Sequence, residues 1–149
     1  MDRYRKIRLE DVISKCKCYR FIRSNKDRIN WKYLSKNSNA IRLLETNLDK
    51  ISWKYLTLNR NAIDILKKNK DKIDYSRLVL NENAIDLIEE KLKIESKLTE
   101  EQYYNLDYTN KVCFCGLSSN TNAIKLLKEN RSRIHWGGIY LKMKMQLIL

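Results

Sequence analysis

One phrase, Asn-Ala-Ile-x-Leu/Ile-Leu/Ile, occurs four times in the chain, starting at Asn39, Asn61, Asn83 and Asn122. The first three starts lie 22 residues apart; the fourth follows after 39, which is one more period plus 17 residues. A fixed period of this size constrains the fold more than any composition can. Each unit is too short to bury its own apolar face, so successive units must stack to make one continuous core.

The second half of the unit repeats as well. Asp27-Arg28-Ile29-Asn30-Trp31-Lys32-Tyr33-Leu34 aligns with Asp49 to Leu56 and, slightly altered, with Asp71 to Leu78. After the 17-residue interruption, Lys111 to Ser118 fall in the same register with Phe114 in the Trp slot, and Arg133-Ile134-His135-Trp136 opens the last copy. Stepping back by 22 from the first clear copy finds a worn unit, with Cys18 in the Ala slot and Tyr19, Phe21 and Ile22 in the apolar slots. Ile7, Leu9 and Val12 read as a half-unit cap, which is expected to be atypical because one face meets water.

Each unit reads as two short helices. Ala40, Ile41 and Leu44 fall on one helical stripe that Leu43 widens; Ile51 with Tyr55, and Trp53 with Leu56, do the same in the second helix. Asn39 and Asp49 are the expected N-caps. Asn47, Asn69 and Asn130 are the expected stops, in the left-handed conformation that Asn tolerates. The absence of proline and the presence of only three glycines also argue against a turn-rich sandwich or barrel. The expected fold is therefore all-α, a short α-solenoid of 22-residue two-helix repeats. The rival is a leucine-rich-repeat-like α/β solenoid, which shares the period and the asparagines, although Trp-Lys-Tyr-Leu-Ser lacks the alternation of a strand. In either case residues 1–149 form a single repeat domain. It divides into an N-terminal cap at 1–16, about five repeats over 17–142 with an insertion near 94–110, and a C-terminal tail at 143–149.

The phrase Asn-x-Asn-Ala-Ile-x-Leu-Leu-x-x-Asn-x-Asp-Lys-Ile-x-Trp-x-x-Leu-Ser, carried best by Asn37 to Leu56 and Asn59 to Leu78, resembles a repeat abundant in large DNA viruses of amoebae and algae. Many members have Pro before Asn-Ala-Ile; Ser38, Arg60, Glu82 and Thr121 stand there in this chain. The heavy use of Lys, Asn, Ile and Tyr fits an AT-rich genome. The resemblance implies a helical repeat fold and a viral setting, and it brings no catalytic residues with it.

Charge is unevenly placed. Residues 1–38 carry 12 Lys/Arg against 4 Asp/Glu, residues 39–110 carry 12 against 13, and residues 111–149 carry 7 against 1. The net +13 thus sits at the two ends, whereas a chain binding nucleic acid along its whole length would spread it. Arg28, Lys50, Lys72, Lys111 and Arg133 share one repeat slot and form a basic ladder that could meet phosphates or an acidic protein. Asp27, Asp49 and Asp71 stand beside three of them and offset their field. The insertion offers Tyr103, Tyr104 and Tyr108 among acidic residues, either as a lengthened helix and loop or as a partner-binding excursion.

Other chemistry is thin. His135 is the sole histidine, in a slot held elsewhere by Asn30, Ser52 and Asp74, so no catalytic set forms around it. Cys16/Cys18 and Cys113/Cys115 form two C-x-C pairs, a spacing unusual for zinc and too far apart along an array to share an ion. Leu141, Met143, Met145, Leu147 and Leu149 alternate with Lys142, Lys144, Gln146 and Ile148, a strand-like spacing in an otherwise helical chain. No signal peptide and no run of about 18 apolar residues is visible, so neither secretion nor a membrane span is expected. These residues point to a non-enzymatic scaffold or protein-interaction module acting in host cytoplasm or virion, such as a minor capsid component. Its expected partners are viral or host proteins, with no cofactor, metal or small-molecule substrate. The alternative is a nucleic-acid-binding protein that uses the basic ladder.

Overall fold

The computed structural model describes residues 29–133, and within that range the chain is all-α. Nine α-helices follow one another among the described residues: α1 (Trp31–Lys36), α2 (Ile41–Glu45), α3 (Trp53–Leu56), α4 (Ile63–Lys68), α5 (Tyr75–Leu78), α6 (Ile85–Glu95), α7 (Glu100–Asn105), α8 (Phe114–Leu117) and α9 (Ile124–Glu129). Short 3-10 turns join several of them, and no strand occurs among the described residues. The α/β rival is thereby overturned. It needs a strand in each unit, but the Trp-Lys-Tyr-Leu segment is the helix α3, and its predecessor Trp31–Lys36 is the helix α1. Arg28, Cys16, Cys18, His135, the half-unit cap and the alternating tail lie outside the described residues.

The helices begin where the repeat phrases do. α2, α4, α6 and α9 start at the Ile of Asn-Ala-Ile, while α1, α3, α5 and α8 start in the Trp slot. Helices of one or two turns do not hold alone, and burial explains why these do. Ala40, Leu43 and Leu44 are 3%, 2% and 0% exposed, and the residues 22 and 44 further on are buried to the same degree. Ile51 and Leu56 supply the matching apolar groups from the second helix. The Ile of the phrase itself lies at the rim: Ile41, Ile63 and Ile85 are half-buried and Ile124 is exposed.

The units are joined by an amide that the core reading passed over. Asn37, Asn59, Asn81 and Asn120 are all 3% exposed or less. Each accepts, through Oδ1, the backbone N–H two residues on: Asn39 at 2.9 Å, Asn61 at 3.0 Å, Asn83 at 3.1 Å and Asn122 at 3.0 Å. The three later ones also donate from Nδ2 into the preceding unit. Asn59 reaches the carbonyls of Ser35 at 2.9 Å and Asn37 at 3.0 Å. Asn81 reaches those of Thr57 at 2.9 Å and Asn59 at 3.1 Å, and Asn120 those of Val79 at 2.8 Å and Asn81 at 3.2 Å. The result is a buried ladder in which each rung caps its own unit and holds the one before.

Only asparagine meets this demand. The position needs one acceptor and two donors on a short planar group; Asp offers no donor, Ser offers one, and Gln is a methylene too long. A second, exposed ladder runs beside the first: Asn61, Asn83 and Asn122 donate to the carbonyls of Ser38, Arg60 and Glu82 at 3.0, 3.0 and 2.9 Å. Asn39, the expected N-cap, is therefore two residues late, because Asn37 does the capping in that unit. In the second helix the cap lies just before the Trp slot, where Asn30 and Asp74 accept from Lys32 and Arg77, and Asp49 has no such part. The expected left-handed stops do not form either, since no described non-glycine residue has positive φ. Asn47, Asn69 and Asn130 instead donate their amides to the carbonyls four residues back, at 2.8, 2.8 and 2.9 Å.

Replacing Asn59 by Asp keeps the shape and turns two donors into an acceptor aimed at two carbonyl oxygens. Asn59→Asp is expected to lower stability by about 3 kcal/mol or more at neutral pH, and Asn61→Asp on the exposed ladder by about 1 kcal/mol. The new carboxyl is held protonated in the fold, so its folded pKa lies above the unfolded value. The Asn59→Asp deficit therefore grows as pH rises above about 4 and shrinks below it. Urea denaturation of both variants at two pH values checks the order and the sign.

Candidate functional site

The four described residues of the basic ladder, Lys50, Lys72, Lys111 and Arg133, come to lie over aromatic rings. Lys50 Nζ sits 5.5 Å from the centroid of Trp31, and Lys72 Nζ sits 4.9 Å from that of Trp53. In both cases the ring belongs to the unit before. The insertion breaks this pairing for Lys111, which lies 5.2 Å from Tyr103 and donates to the Tyr104 carbonyl at 3.1 Å. Lys91 covers Tyr75 in its place, at 4.8 Å. Arg133 lies 5.3 Å from Phe114 and 5.6 Å from Tyr103. A cation held over a ring in this way is attracted by the ring's quadrupole, by about 0.5–1 kcal/mol where water has access. The ladder thus has a packing role between units as well as an exposed charge.

Arg133 differs from the others. Its Nη2 is 2.7 Å from Oε2 of Glu95, whose side chain is 0% exposed against 28% for the arginine. Oε1 of the same carboxylate accepts the Val112 N–H at 2.8 Å. Glu95 ends α6, which has 11 residues where α2 has 5 and α4 has 6. The insertion is therefore both a lengthened helix and an added element. Extra turns of α6 bring a buried carboxylate under the next unit, and α7 then starts from a capping box in which Thr99 and Gln102 bond reciprocally.

The three tyrosines of the insertion do not act as a set. Tyr103 is half-buried beneath Lys111 and Arg133 and meets Tyr104 edge to face at 6.4 Å. Tyr104 and Tyr108 are 77% and 64% exposed. The Tyr108 phenol interacts with the Cys113 thiol, whose hydrogen bond pushes its pKa up. The turn Tyr108–Asn110 packs beside α5 and borders an open depression of about 320 Å³, lined by Lys54, Asp71, Lys72, Ile73, Asp74 and Asn110.

A second cationic group was not singled out in the sequence, because its members fall in two adjacent slots. Lys32 Nζ lies 5.0 Å from the Tyr55 ring, one unit on, and 5.9 Å from Tyr33. The Tyr55 phenol is pulled below its ordinary pKa, first by the hydrogen bond from Lys32 and then by the fields of Lys32, Lys54 and Arg77. Cations from three successive units thus act on one hydroxyl.

Among the described residues no group of three or more His, Cys, Asp or Glu side chains could hold a metal ion, and Cys113 and Cys115 are free thiols. No helix among them is long and apolar enough to cross a membrane. No family model, no curated protein and no solved structure matches the chain.

Truncating Arg133 leaves the Glu95 carboxylate buried with one N–H partner. Arg133→Leu is expected to cost about 3 kcal/mol, against about 1 kcal/mol or less for Lys50→Leu, which loses only an exposed ring contact. Equal and small losses in denaturant titrations would show that the Glu95 tie contributes little.

Proposed function

We infer that the chain is a short α-solenoid that works as a non-enzymatic scaffold, binding protein partners through the side of the array and through its insertion. The observation that carries this reading is the buried asparagine ladder. Its donors enter the preceding unit at the same two carbonyl positions in each of three successive units. Such register gives every unit the same neighbours, which is the logic of stacked repeats. Function then falls on what departs from the repeat. Tyr104 and Tyr108 are the most exposed large hydrophobic side chains among the described residues, and both belong to the insertion. Aromatic anchors of this kind dominate the energetics of protein interfaces.

The setting we infer is a large DNA virus, with the chain acting in host cytoplasm or in the particle. The likeness of the Asn-Ala-Ile and Asp-Lys-Ile-x-Trp phrases to repeats of such viruses supports it. A photo-crosslinking residue placed at Tyr104 and at Tyr108, together with quantitative mass spectrometry of purified particles, tests both parts. The expected result is a fixed copy number in particles and a discrete crosslinked protein from either position. Absence from particles combined with no crosslink in infected cells would overturn the reading.

A further inference from the structure

The helices α1, α3 and α5, with the residues that flank them, carry an unbalanced charge. Residues 30–36, 52–58 and 74–80 contain Lys32, Lys36, Lys54 and Arg77 against a single carboxylate, Asp74. The helices α2, α4, α6 and α9 differ, with seven Lys/Arg against seven Asp/Glu. The Lys50 and Lys72 ladder is also offset, by the neighbouring Asp49 and Asp71. Ahead of Lys111, the positive charge of the described residues therefore concentrates on one row of short helices.

That row has a definite composition. Lys32, Tyr33, Lys36 and Lys54 are exposed, and Tyr55 and Arg77 are half-buried. Tyr33 and Tyr55 hold the same slot in consecutive units, and Lys32, beside Tyr33, reaches the Tyr55 ring at 5.0 Å. Cations and aromatic rings thus alternate from α1 to α5. Asp74 engages Arg77 Nε at 3.3 Å. The insertion turn Tyr108–Asn110 packs against α5, which brings Asp107 to that end of the row and closes it there.

We propose that this face binds single-stranded nucleic acid, with Lys32, Lys54 and Arg77 meeting successive phosphates and the Tyr33 ring stacking a base. The pairing of a cationic track with open rings is the chemistry of sequence-tolerant single-strand binding. An acidic peptide would use the cations and have no need of the ring, which is what separates the two partners experimentally. The proposal does not rest on the scaffold reading, because it is argued from the charge and rings of the strip and uses neither Tyr104 nor Tyr108.

The test is fluorescence anisotropy of the full-length protein with labelled oligo-dT and oligo-U of about 20 nucleotides. Binding of either strand at about 50 mM salt, falling steeply by about 200 mM, is expected. Lys54→Glu with Arg77→Glu should weaken it about tenfold or more, and Tyr33→Ala about fivefold with an unchanged salt slope. Lys67→Glu with Lys68→Glu, on α4, should stay within about twofold. Should loss of the Asp74 pair unfold the first variant, Lys32→Gln with Lys54→Gln keeps that pair and is expected to weaken binding in the same direction. Thermal melts establish folding in every case. The proposal fails if neither strand binds at low salt, if both charge-reversal pairs lose equally, if Tyr33→Ala is without effect, or if polyglutamate competes as well as the oligonucleotide.

Discussion

A buried side-chain amide with all its hydrogen-bonding capacity in use is the constraint around which the units are arranged. Backbone carbonyls at the ends of short helices have no partner within the helix, and a chain whose described helices, α6 apart, have four to six residues has many such ends. Buried without a partner, each would cost about 1–3 kcal/mol. Asn59, Asn81 and Asn120 each meet one of them, on Ser35, Thr57 and Val79, and add a second bond to a carbonyl that already accepts a backbone N–H. At the same time each ties off an N–H of its own unit. Apolar stacking supplies most of the driving force, but it is not directional. The amides fix the register at which one unit sits on the next, and no buried polar atom of the described side chains lacks a partner.

The helices and the buried core were largely legible in the sequence because the period shows directly. The spacing of Asn39, Asn61 and Asn83 located the helices, and the Ala, Leu and Leu positions located the core. The capping chemistry was less legible. Asn37 and Asn39 look alike in a string, and only the geometry decides which is buried and caps the turn. The stops failed for a related reason: an Asn can close a helix by a left-handed turn or by an i−4 amide bond, and its identity alone does not choose between them. The basic ladder was legible as a row. That its cations would lie over rings of the preceding unit was not, since Lys50 and Trp31 are distant in the chain. The strip of Lys32, Lys54 and Arg77 was hidden because Arg77 stands in a Tyr slot, so no single column of the alignment contains it.

The insertion shows how a repeat tolerates interruption. It enters just before the Lys/Arg slot that Lys111 fills, a point that no ladder bond crosses within a unit. The buried Glu95 then restores the lost continuity, holding Val112 and Arg133 on the far side. Gly116 belongs to the same adjustment. It stands where earlier units have Tyr33, Tyr55 and Arg77, and a Cβ there would approach Val79 Cγ2 to 2.6 Å. The unit after the insertion therefore sits closer to its predecessor than a side chain in that slot would allow.

The ladder bonds reach back 24 and 22 residues from Asn59 and from Asn81, and 41 and 39 from Asn120. The targets remain the same two positions of the preceding unit whatever length of chain lies between. Because the rung reads its neighbour and not its distance in sequence, a whole unit can be gained or lost in a single genetic exchange between repeats, and the contacts on either side of the join re-form unchanged. The length of such an array is then a quantity that selection can adjust in whole units, without redesigning a core each time.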